Sequence, residues 1–205
     1  MPFRKRDGIA CWNEEKGKGN MGKIKVWTRQ HKNVWKVLQE TGRYTAKREY
    51  ISMDLQEHAG IIFEAYDWLV KNGPDAANRP QDVQYPVWVS FDEAATMLSG
   101  ENGVILELLI EEDSITPVNI AKWGAILNYS YLPKDEADAK RHRELLQMYG
   151  TDDVRAVMTQ FYPEIRREIR DSWKRLFDDS VKLGNDLKYG TIWEIRREWV
   201  TDVRA

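Results

Sequence analysis

Lys25-Val26-Trp27-Thr28-Arg29-Gln30-His31-Lys32-Asn33-Val34-Trp35-Lys36-Val37-Leu38-Gln39-Glu40-Thr41-Gly42 changes its periodicity midway. Ile24 to Trp27 reads as a short apolar strand that stops at three polar side chains, Thr28, Arg29 and Gln30. A loop follows, and Asn33 is the expected cap of a helix running to about Thr41, because Val34, Val37, Leu38 and Thr41 share one helical face. Gly42 is the expected stop. A strand end leading into a helix start gathers backbone donors and side chains, and anions and nucleotides are often held at such points. Thr28, Arg29 and Gln30 are therefore the first binding candidates.

Working outward, residues 1–20 mix Arg4, Lys5, Arg6, Glu14, Glu15, Lys16 and Lys18 with Gly8, Gly17 and Gly19 and have no periodicity. They read as a disordered or loosely attached extension, and 21–205 as a single domain. After Gly42, Arg43-Tyr44-Thr45 and Lys47 to Ile51 read as extended and partly exposed. Asp54 is the expected cap of a helix in which Leu55, Ala59, Ile62, Tyr66 and Leu69 recur until Asn72-Gly73-Pro74 breaks it. Asp75 to Gln84 is a loop, Pro86 to Ser90 a strand, Asp92 to Leu98 a short helix, and the apolar run Val104 to Ile110 a central strand interrupted by Glu107. Ser114 to Val118 reads as extended and Asn119 to Gly124 as helical. Ile126 to Leu132 alternates polar and aromatic residues as a strand does, with Tyr129 and Tyr131 on one face.

From about 135 to 177 the pattern is helical. Asp135 to Tyr149, a short helix from Thr151-Asp152-Asp153, and a third opening at Pro163 follow one another. In the third, Ile165, Ile169, Trp173 and Leu176 form an apolar stripe opposite Arg166, Arg167, Arg170 and Lys174. Thr191 to Ile195 reads as a strand, and Trp199 to Val203 as extended. Strands and helices intermix without regular βαβ alternation, which predicts an α+β domain with a mixed or antiparallel sheet flanked by helices.

Composition narrows the function classes. The net charge of -2 gives no global attraction to nucleic acid or to an anionic membrane, so nucleic-acid binding needs a local basic patch. No apolar run approaches a membrane span, and the reading is of a protein without a membrane partner. The single Cys11 cannot form an internal disulfide and is compatible with a reducing, cytoplasmic setting. His31, His58 and His142 have no zinc-ligand spacing, so no metal is expected. Nine tryptophans and nine tyrosines suit a core, a stacking surface or an interface equally.

Trp27-Thr28-Arg29-Gln30, Tyr85 to Ser90, Lys122-Trp123, Leu127 to Pro133, Ser172 to Arg175 and Trp193-Glu194-Ile195 resemble the bacterial domain-of-unknown-function family numbered 3841, over nearly everything from Met21 onward. More distantly, the order of polar-ended strand, glycine-ended helix, Val-Trp-Val-Ser strand, apolar strand and late strand is similar to the ADP-ribosyltransferase fold. That likeness implies binding of NAD or a related nucleotide and transfer of ADP-ribose to a protein or nucleic-acid acceptor. In those enzymes the first strand carries a His or Arg that holds NAD, a middle strand a Ser or Tyr, and a late strand the catalytic Glu. By position, Thr28 or Arg29 takes the first role and Ser90 the second. Spacing puts Thr191 where the glutamate should stand; Glu194 is three residues away, and Glu107 is a further candidate on the middle strand. The likeness thus implies Arg29 and Glu194 as catalytic residues. Tyr44, Tyr129 and Tyr131 are aromatic candidates for covering the nicotinamide, with Asn128 beside the last two.

Each candidate also has a plainer reading. Arg29 also reads as a surface arginine at a strand end or one paired with a nearby acid, Ser90 as a cap for the Asp92 segment, the two tyrosines as packing, and Glu194 as a solvent-facing strand residue. A non-catalytic module that binds a protein or nucleic acid on the same fold is the alternative from another class.

Overall fold

The computed structural model describes residues 22–48, 59–96 and 102–204. In chain order the elements are β1 (Lys23–His31), α1 (Lys32–Thr41), β2 (Arg43–Tyr44), α2 (Ala59–Asn72), β3 (Val87–Ser90), β4 (Gly103–Glu111), β5 (Thr116–Asn119), α3 (Ile120–Leu127), α4 (Glu136–Tyr149), α5 (Asp153–Met158), α6 (Pro163–Ser172), β6 (Lys188–Ile192), β7 (Ile195–Arg196) and β8 (Val200–Arg204). A six-stranded sheet has the order β5-β6-β3-β1-β4-β8, and β2 and β7 form a separate two-stranded sheet. Every neighbouring pair is antiparallel, which resolves the expected mixed or antiparallel sheet in favour of the second. The expected extension and the Asp54 cap lie outside the described residues.

The strand reading of β1 needs correction. It does not stop at Trp27: β4 offers an unbroken backbone ladder, and β1 pairs with it from Lys23 opposite Glu111 to His31 opposite Gly103. Thr28, Arg29 and Gln30 are strand residues facing Leu106, Ile105 and Val104. No loop separates β1 from α1. His31 rather than Asn33 is the cap, its Nδ1 accepting the Asn33 amide at 3.2 Å. Gly42 ends α1 as expected, at φ 77°, where a side chain would be strained.

Alternation along the strands sends side chains into two cores. Val26, Val87, Val89, Leu106, Leu108 and Ile110 pack on one face under Val34 and Leu38 of α1. Each buried aliphatic side chain contributes about 1.5–3 kcal/mol. On the other face, Val118 of β5 joins Ala65 and Leu69 of α2, Trp123 and Ile126 of α3, and the expected stripe Ile165, Ile169, Trp173 and Leu176. Trp88 points to this second core, where its indole N–H donates to Tyr66 Oη at 2.8 Å. Gly190 lets β6 pass close beneath β3: a Cβ there would stand 2.7 Å from Val89 Cγ2.

Three other sequence expectations change. Asp92 caps only a 3-10 turn at Glu93–Ala95, and the rest of the expected helix lies outside the described residues. Ile126 to Leu132 is not a strand: Ile126 and Leu127 finish α3, the Asn128 amide closes it by donating to Gly124 O and Ala125 O, and Tyr129 follows at φ 56°. Thr191 to Ile195 is not one strand either. β6 ends at Ile192, and Ile195 begins β7, which leaves for the small sheet and pairs with Tyr44.

Candidate functional site

One end of the large sheet gathers chemistry. β1 and β3 run antiparallel, so the Arg29 end of β1 lies beside the Val87 end of β3. The end of β6 comes to the same place, with Ile192 opposite Val87. β1, β3 and β6, which hold Arg29, Ser90 and Thr191, are thus immediate neighbours. β2, β7 and the loop before β3 close around this end through the bridge between Ala46 and Tyr85 and the pairing of Tyr44 with Ile195.

Thr28 and Arg29 lie at this end, whereas Ser90, opposite Trp27 of β1 and Tyr189 of β6, stands at the other end of β3. Arg29 is exposed and forms no ion pair among the described residues. Thr28 is buried on the opposite sheet face, donating to Trp88 O at 2.7 Å and accepting Gln30 Nε2 at 2.8 Å. Tyr44 is buried in the small sheet. Ser90 closes a local turn: its Oγ donates to Asp92 O at 2.7 Å and accepts the Asp92 amide at 3.1 Å, which is the capping arrangement.

Glu194 is buried, not solvent-facing. Its carboxylate accepts Arg43 Nε at 2.5 Å and Arg196 Nε at 2.6 Å. Burial disfavours its charge, but these two guanidinium groups outweigh burial and hold the carboxyl below the usual range. Arg43 in turn reaches Asp82 in the loop before β3. Thr191 is also buried and donates to Thr116 O at 3.3 Å. Glu107 is bound by Lys25 at 2.9 Å and Thr201 at 2.8 Å, and those contacts lower its pKa.

Beside this ionic knot opens a cavity of about 470 Å³, lined by Arg48, Asp67, Lys71, Arg79, Gln84 and Tyr85 among others. Burial, with Asp67 as hydrogen-bond acceptor, pushes Tyr85 up to about 12, so it stays a neutral donor. None of these positions carries a sequence motif. The available signal was their position: Lys71 lies in the last turn of α2 and Arg79 in the loop that leads to β3, and connecting loops disproportionately carry binding residues.

Asn128, Tyr129 and Tyr131 are elsewhere, in the helical layer. Asn128 Nδ2 donates to Gly124 O at 2.8 Å. Tyr129 stacks on Trp173 and donates to Glu64 at 3.2 Å; burial and the neighbouring Glu64 push it up to about 12. Tyr131 joins a second charged cluster. Its hydroxyl donates to Asp138 at 2.9 Å, and Asp138 also accepts the Lys134 amide, Arg141 and Arg175, each at 3.0 Å. Burial alone would raise the Asp138 pKa; these donors bring it down to about 2. His142 is stacked on Tyr131 with its centroid 4.0 Å away. Its Nε2 is 2.8 Å from Asp153 and its Nδ1 2.9 Å from Glu168, so both ring nitrogens face carboxylates. That geometry calls for the imidazolium: burial opposes the charge, and the two carboxylates overcome it and raise the pKa. Among the described residues no His, Cys, Asp and Glu grouping is arranged to hold a metal ion, and no helix is long and apolar enough to cross a membrane.

Fold and site define an α+β domain with a wholly antiparallel sheet and a cationic cavity at one end of it. Within that class, the chain belongs to the family described as a domain of unknown function (DUF3841), whose model matches residues 25–201. No curated protein and no solved structure matches the chain.

Proposed function

We propose that this chain is an ADP-ribosyltransferase-like domain that binds NAD or a related nucleotide at the Arg29 end of the sheet without transferring ADP-ribose. The supporting observation is the contiguity of β6, β3 and β1, the three strands on which such enzymes carry their site. Exposed Arg29 supplies an uncommitted guanidinium, suited by its planar fork to phosphate or ribose oxygens.

Transfer makes a further demand. Breaking the nicotinamide–ribose bond builds positive charge on the ribose, and a free carboxylate is needed to stabilise it. Thr191 has no charge to offer, and the charge of Glu194 is already neutralised by Arg43 and Arg196. Calorimetric titration tests the reading: NAD binds the wild type, Arg29→Ala weakens it at least tenfold with the circular dichroism spectrum unchanged, and no nicotinamide is released by either protein. Nicotinamide release that disappears in Glu194→Gln would refute the non-catalytic half.

A second reading, a protein-binding module, draws on a specific observation: Met148, Tyr149, Met158 and Phe161 are exposed. Tyr149 and Phe161 line a cleft of about 520 Å³ beside α6. Absence of any heat on NAD titration would favour it.

A further inference from the structure

Resting on that nucleotide reading, we propose that Arg48, Lys71 and Arg79 form the phosphate-binding wall of the site and take the pyrophosphate of the nucleotide. The cavity beside the ionic knot is lined by Tyr85, two residues before β3 on the side of that strand nearest Arg29. Its volume of about 470 Å³ is in the range of small-molecule sites.

The wall is built, not merely charged. Arg48 is fixed from four sides. Its amide donates to Gln84 Oε1 at 2.8 Å, its guanidinium lies 4.0 Å over the Phe63 ring, its Nη1 donates to Tyr85 Oη at 3.1 Å, and Asp67 is 3.9 Å away. Tyr85 in turn donates to Asp67 at 2.8 Å. The single acid of the wall is therefore engaged by Tyr85 and Arg48. Lys71 stands one turn beyond Asp67 on α2, and Arg79 lines the cavity from the loop before β3; both are exposed, and neither forms an ion pair among the described residues. Three cations face one carboxylate. The excess matches the two negative charges of a dinucleotide pyrophosphate, and a fixed guanidinium fork with two exposed cations suits its several oxygens. The compensated Glu194 knot next door keeps its own charge from cancelling that excess.

The test uses the full chain and calorimetric titration of inorganic pyrophosphate, ADP-ribose and NAD into wild type, the double variant Lys71→Glu/Arg79→Glu, and Arg29→Ala. Circular dichroism checks folding, and both reversed residues are exposed. Binding of all three ligands to wild type, each weakened at least tenfold in the double variant, is the expected result. Lys71→Arg should retain wild-type affinity. NAD binding that is lost in Arg29→Ala but unchanged in the double variant would overturn the phosphate wall and leave the nucleotide reading standing. Pyrophosphate binding that the double variant loses, with no NAD binding to wild type, would support the wall as an anion site and overturn the nucleotide reading. A single-stranded oligonucleotide bound more tightly than NAD, through the same two residues, would overturn the assignment to a small nucleotide.

Discussion

The helical layer and the end of the sheet each hold a cluster of charges, and they resolve them in opposite ways. Around Asp138 and His142 every buried charge has its partners: Asp138 has Tyr131, Arg141 and Arg175, and His142 has Asp153 and Glu168. Such a network ties α4, α5 and α6 together. At the sheet end, Glu194 is likewise closed by two arginines, but Lys71 and Arg79 around the neighbouring cavity have no counter-ion among the described residues. The contrast separates charge used to hold the fold from charge left for binding. Burial and pairing go together here: Asp138, His142 and Glu194 are buried and partnered, whereas Lys71 and Arg79 are exposed and form no ion pair among the described residues.

The comparison can be broken most forcefully at Asp138. Asp138→Ala would leave the Tyr131 hydroxyl and the Lys134 amide without their acceptor and remove the carboxylate that pairs with Arg141 and Arg175, and is expected to cost about 3 kcal/mol in urea unfolding. Glu194→Gln keeps the shape but loses charge-assisted hydrogen bonds from Arg43 and Arg196, with an expected cost of about 2 kcal/mol and unchanged NAD affinity. A shift in affinity larger than the shift in stability would move Glu194 to the binding side of the contrast.

The pH dependence tests the compensated cluster directly. His142 has a raised pKa when folded, so its stabilisation is complete below the unfolded value of 6.5 and is lost as pH rises through the folded value. Asp138 works in the other direction, with stabilisation present above 3.8 and lost as pH falls towards about 2. Urea midpoints measured at about pH 6 and about pH 9 should therefore differ less in His142→Gln than in wild type. The smallest effect on stability belongs to the open cluster: Lys71→Glu/Arg79→Glu should change unfolding free energy by no more than about 0.5 kcal/mol while ligand affinity falls.

Much of the scaffold was legible because local chemistry and tertiary packing agree there. The apolar run of β4, the Val-Trp-Val-Ser of β3, the glycine stop of α1 and the stripe of α6 all stand where their periodicity puts them. The failures have specific causes. Asn128 to Leu132 alternates like a strand, yet the Asn128 amide closes a helix and Ser172 Oγ accepts the Leu132 amide, so the backbone is satisfied without a sheet. β1 outran its apolar core because β4 supplied partners for its polar half. Of the candidate residues, the separation of Arg29 from Tyr129 and Tyr131 was invisible to spacing, and the cavity draws on residues from 48 to 85 that share no motif.

The sheet order also sets the sequence in which the molecule can assemble. β1, β3 and β4 form a contiguous trio from residues 23–111, whereas β6 and β8, which flank it on either side, come from residues 188–204. During synthesis the trio must wait with both of its edges unpaired until the last strands leave the ribosome, a topology of long-range contacts that folds slowly. A chain stopped before Lys188 would retain those open edges and would be expected to aggregate by edge-to-edge pairing.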